Sequence, residues 1–151
     1  MHPVGYIMRS VFQLQNINKS LTATLRDAEQ GGQTIMANLA NKADTPQNRQ
    51  QLRHIIGIER WGQRRLQTML DAPPIQDEYD SYQPAENLDL AALRDAFKST
   101  RAETLALARA IEQKGVAQTA KANHNMMGDI SLNTWLRYLI SHANFESRSV
   151  K

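Results

Sequence analysis

The sequence predicts an all-α domain, specifically a four-helix bundle, and three observations lead there. Apolar residues recur at spacings of three and four in four long stretches. The strict alternation expected of half-buried strands is nearly absent. Helix start and stop signals fall between the stretches, at Thr45-Pro46, Pro73-Pro74, Gly115 and Ser131.

The first stretch carries Val11, Leu14, Ile17, Leu21, Leu25 and Ala28 on one helical face. Gly31-Gly32 is expected to interrupt it, with Ile35, Met36 and Leu39 forming a short extension beyond the break. The second opens with Thr45 as N-cap and Pro46 at the first helical position, where a missing N–H costs nothing. From there Leu52, Ile55, Ile56, Glu59, Gly62, Leu66, Met69 and Leu70 trace a core face as far as Pro73-Pro74. Residues 71–87 (DAPPIQDEYDSYQPAEN) read as a long irregular connection, of a length that is often functional or wraps a surface. The third helix is expected from about Leu88 through Leu93, Phe97, Arg101, Leu105 and Ile111 to near Gly115. After a connection over 116–128, the fourth begins near Ser131 and continues through Trp135, Leu139, His142 and Glu146. Four amphipathic helices with two long connections make a bundle.

A length of 151 residues suits one domain, 1–151, with a core large enough to need no staples. The absence of cysteine excludes a disulfide framework, a thiolate metal site and a catalytic cysteine. Eighteen basic and fifteen acidic residues give a net charge of +3, which demands no polyanionic partner. No apolar stretch approaches the ~20 residues that cross a bilayer. MHPVGYIMRS has no continuous apolar signal region, so no membrane association and a cytoplasmic location are expected.

Function must then come from polar residues on core-facing positions. On the fourth helix Trp135, Leu139, His142 and Glu146 follow one another by four, three and four, so an imidazole and a carboxylate stack on one face at i and i+4. Imidazole with carboxylate and no thiolate suits Zn, Ni or Fe(II). A third ligand must come from another helix, and His54, at the edge of the apolar face of the second helix, is the candidate. The alternative is a hydrogen-bonded core histidine at 54 and a simple i,i+4 pair at 142 and 146, worth roughly 0.2–0.5 kcal/mol. Glu59 lies about 140° around the helix from His54, which prevents the two from chelating one ion. Arg101 holds the matching place on the third helix, so Glu59 and Arg101 are expected to form a buried ion pair.

At this point the residues resemble a known family, the DinB-like metal-binding proteins. LRHIIGIERWGQRRL is similar to their second-helix motif, a histidine followed five residues later by Glu. NHNMMGDISLNTWLRYLISHANFES is similar to their other signature, in which a loop histidine and a glycine precede a Ser-Leu helix start, an aromatic and a histidine with a second ligand four residues on. Phe97 and Arg101 reproduce the family's F-x-x-x-R spacing on the third helix, and the resemblance covers essentially the whole chain. It implies an up-down-down-up bundle, commonly a homodimer, and a divalent metal held by His54, His142 and Glu146. Many members have histidine where this chain has Glu146, which leaves the preferred metal open. Three protein ligands leave an open coordination position, as in catalytic sites. In related proteins that position takes a low-molecular-weight thiol such as mycothiol or bacillithiol, and a chain without cysteine would need such a cosubstrate.

The same resemblance raises His124 as an acid or base approaching the metal from its loop; the other reading is a backbone cap. Tyr79 and Tyr82 are candidates for the pocket rim or for loop anchors, and Trp61 and Trp135 for pocket wall or core. Met126 and Met127 are expected to be apolar plugs. Three functions compete: a metal-dependent enzyme, either a thiol transferase or a hydrolase acting on a small-molecule substrate; a binding protein for a metal or small ligand; and a nucleic-acid binder. For the last, Arg49, Arg53, Arg60 and Arg64 form a basic stripe, but no stacking aromatics or reader motif accompany it, and a solvated face explains it better.

Overall fold

The computed structural model describes residues 10–11 and 19–151. Among them are four long helices: α1 (Leu21–Leu39), α2 (Pro46–Leu66), α3 (Leu90–Gln113) and α4 (Leu132–Glu146). Each begins with a side-chain cap on an orphan amide: Ser20 accepts from Ala23 N–H, Thr45 from Asn48, Asp89 from Ala92 and Ser131 from Thr134. Pro46 occupies the first turn of α2, as expected from the sequence. Gly115, with φ of 80°, supplies the left-handed residue just beyond α3.

α1 and α2 each pack against both α3 and α4, so the four helices share one interior. The apolar core falls into two clusters. Ile35, Leu39, Leu52, Ile55, Ile56, Leu93 and Phe97 belong to one, and Trp61, Leu105, Ile111, Trp135, Leu136 and Leu139 to the other. The interior also holds buried polar residues, Glu59 on α2 and Thr100, Arg101 and Thr104 on α3. Arg101 donates to Glu59 through Nε to Oε1 at 2.6 Å and Nη2 to Oε2 at 2.9 Å, and through Nη1 to the Ala28 carbonyl at 2.8 Å. The Thr104 hydroxyl donates to Oε1 at 2.9 Å. The Glu59 carboxylate is thus fully occupied inside the bundle.

Four expectations are corrected. The first helical stretch does not run unbroken from Val11 to Ala28: Lys19 and Ser20 are non-helical, Val11 is exposed, and Leu14 and Ile17 lie outside the described residues. Nor does Gly31-Gly32 end a helix, since α1 passes through both. A Cβ at Gly32 would stand 3.1 Å from Arg101 Cγ, so this glycine makes room for the buried arginine. The connection over 116–128 is not irregular throughout. Lys121–His124 (β1) pairs antiparallel with Gly128–Ser131 (β2), Ala122 opposite Ile130. Four residues per strand are too few for alternation to be read from sequence. Finally, Met127 is buried beneath this hairpin, but Met126 is exposed at its tip.

Candidate metal centre

His54 lies on α2, one turn before the buried Ile58, and His142 and Glu146 lie one turn apart on α4. Because α2 packs on α4, the three side chains meet: one ligand atom from each lies within 4.8 Å of the others. The two imidazole centroids are 5.1 Å apart with ring planes at 55°. A cation bonded at about 2.0–2.2 Å to each would need each side chain to move by under about 1 Å, so the donor set fits a divalent metal. All three are half-buried, so a cation held there would be within reach of solvent or a further ligand. Burial, reinforced by the neighbouring His54, holds His142 down to about 4, although Glu146 opposes the shift. His142 is therefore neutral near pH 7, the form that ligates metal.

The connection over 71–87 closes one side of the centre. Arg64 donates to the Pro73 carbonyl at 2.8 Å, Trp61 Nε1 and Arg65 Nη2 to the Asp77 carbonyl at 3.2 and 3.0 Å, and Arg53 Nε to the Pro84 carbonyl at 2.9 Å. The Tyr82 hydroxyl donates to Asp77 Oδ2 at 2.5 Å. Gly57 lets the segment press directly on α2, for a Cβ there would meet Gln83 Cγ at 2.7 Å and the Tyr79 carbonyl at 3.3 Å. So fastened, the segment sets the Tyr79 ring edge-on to His54, centroids 5.0 Å apart. A polar groove of about 780 Å³ opens beside them, lined by His54, Tyr79, Gln50, Arg53 and Gln83 among others.

Several residues singled out in the sequence lie elsewhere. Trp61 and Trp135 pack on each other, and both pack on His124, with centroids 5.5, 5.1 and 5.0 Å apart; they build core rather than groove wall. Tyr82 serves the Asp77 contact and does not line the groove. His124 Nδ1 accepts from the backbone N–H of Met126 and Met127 at 3.2 and 3.4 Å, the capping arrangement. Burial first, and Arg65 second, lower His124 to about 4. The basic stripe is not a free solvated face either. Arg49 forms two bonds to Asp44, Arg60 donates to the Thr100 hydroxyl, and Arg53 and Arg64 hold the 71–87 segment.

Two residues at the centre escaped sequence reasoning. Tyr138 stands one turn before His142, ring centroids 6.0 Å apart, and burial raises its phenol to about 12, with Tyr79 and Glu146 adding to the shift. Gln51, three residues before His54 and so on the same side of α2, donates to Glu146 Oε2 at 2.6 Å. The i−3 spacing was the available signal for Gln51, but it speaks only once α4 is known to lie opposite.

Comparison with protein-family models, curated proteins and solved structures found no match to this chain. No helix among the described residues is long and apolar enough to cross a membrane. What the geometry itself defines is a helical bundle with a His-His-Glu cluster able to hold a metal ion.

Proposed function

We propose that this chain is a metal-binding protein of the DinB-like kind, in which His54, His142 and Glu146 hold one divalent cation, Zn, Ni or Fe(II). The observation that carries this reading is the convergence of three ligand atoms from two helices to within 4.8 Å, beside a groove that contains His54. Structural zinc sites are usually closed by four protein ligands; three, in a half-buried setting, suit an exchangeable fourth position.

The finer reading is a metal-dependent enzyme acting on a small-molecule substrate through a low-molecular-weight thiol cosubstrate. A cation at this centre would supply Lewis acidity, lowering the pKa of a thiol so that it attacks an electrophile at neutral pH. A thiol from outside is required, because the chain has no cysteine. The chain's own residues would hold and orient the reactants: His142 stays neutral to ligate, Tyr79 packs against His54, and the amide and guanidinium groups of the groove favour a polar substrate. The resemblance to DinB-like proteins adds a homodimer, testable by light scattering.

The test is elemental analysis of protein purified without a metal-chelate column, with His54→Ala, His142→Ala and Glu146→Ala beside it. Near-stoichiometric metal in the parent and loss in each variant is the expected result. Metal content unchanged by these substitutions overturns the assignment. Incubation of the metal-loaded protein with small thiols and electrophiles then separates enzyme from binder: no rate above the metal-free protein leaves a metal-binding role without the transferase.

A further inference from the structure

We propose that Gln51 is a positioning residue of the metal centre, holding one oxygen of Glu146 while leaving the carboxylate's charge and its other oxygen for a cation. The inference rests on the ligand assignment above.

Gln51 Nε2 donates to Glu146 Oε2 at 2.6 Å and lies 3.4 Å from the Glu146 carbonyl oxygen. The contact joins α2, which carries His54, to α4, which carries the other two ligands. A glutamate has three rotatable side-chain bonds, and ordering such a chain upon binding costs rotamer entropy. A strong hydrogen bond to the charged carboxylate fixes it beforehand.

The chemical choice of donor matters as much as its place. An amide orients a carboxylate without cancelling its charge. The bundle's other interior carboxylate shows the opposite arrangement: Glu59 takes two bonds from Arg101 and one from Thr104, so both its oxygens and its charge are consumed. Among the described residues Glu146 enters no salt bridge of the kind that Glu59 makes. One carboxylate is spent on the fold, and the other is aimed and left charged.

Partners that orient a metal ligand typically contribute about 10–100-fold in metal affinity. Zinc affinity is therefore measured for the metal-stripped protein by competition with a chromophoric chelator, alongside thermal unfolding of the same metal-free samples. Gln51→Leu should weaken zinc binding about 10–100-fold. Gln51→Lys, which keeps a donor to Glu146 but adds a cation, should weaken binding at least as much while the metal-free protein stays folded. A mere helix-to-helix clasp predicts otherwise for the leucine variant: a lower unfolding midpoint of the metal-free protein with zinc affinity unchanged. If both variants bind zinc as the parent does, while His54→Ala does not, the role of Gln51 is overturned and the ligand assignment stands. If His54→Ala binds zinc like the parent, the assignment falls and this inference with it.

Discussion

Arg101 and Glu59 meet inside the bundle through two parallel hydrogen bonds, with no more than 6% of either side chain exposed. A pair of this kind is costly to break from one side, because the remaining charge stays buried without its partner. Glu59→Leu should destabilise the protein by about 3–5 kcal/mol, read as a lower midpoint in urea unfolding. Adding Arg101→Met to that variant should recover part of the loss, since two apolar groups then face each other. An additive double variant would mean that the two residues do not act as a pair.

Acid should weaken the fold through His124. Its imidazole is buried among Trp61, Trp135 and Tyr138 and is held down to about 4, against 6.5 when free. Above pH 6.5 the group is neutral in both folded and unfolded chains and contributes no pH dependence. Below 6.5 the unfolded chain takes up a proton that the folded one refuses until about pH 4, so stability falls across that window. The shift corresponds to roughly 3 kcal/mol. His124→Phe should lose less stability than the parent between pH 6.5 and 4, by about that amount, in urea titrations of metal-free protein. Equal losses in the two would show that His124 is not the group responsible.

Gly57 sets how closely the 71–87 segment approaches α2. A methyl group there would fall 2.7 Å from Gln83 Cγ, with the Tyr79 carbonyl behind it at 3.3 Å, so the segment must shift outward. Gly57→Ala should cost about 1–3 kcal/mol despite alanine's better helix propensity. The same change should draw Tyr79 away from His54 and speed proteolytic nicking within 71–87. Unchanged stability and unchanged cleavage would sink this account of the glycine.

The places where sequence reasoning succeeded and failed divide along physical lines. Thr45-Pro46 marked the start of α2 because capping is a local interaction, complete within four residues. Glu59 and Arg101 were matched as lone charges on apolar stripes, where burial leaves pairing as the outcome. Gly31-Gly32 misled because glycine's helix cost is small, about 1 kcal/mol each, and the packing of α1 against α3 and α4 overrides it. The hairpin at 121–131 was too short to show alternation. The stripe of Arg49, Arg53, Arg60 and Arg64 looked like a solvated face because nothing local reveals that the 71–87 segment folds back onto Arg53 and Arg64, or that Thr100 of α3 meets Arg60.

Helical period, caps and the identity of the interior charges were written locally, since each depends on residues within a turn or two along the chain. His142 and Glu146 shared a face for the same reason. Whether His54 reached them depended on how α2 and α4 pack, which no spacing within either helix encodes. The contacts of Gln51 with Glu146 and of Tyr79 with His54 likewise exist only after distant segments meet. Side-chain direction along one helix follows from its 3.6-residue turn; convergence between helices follows from how their apolar faces interlock.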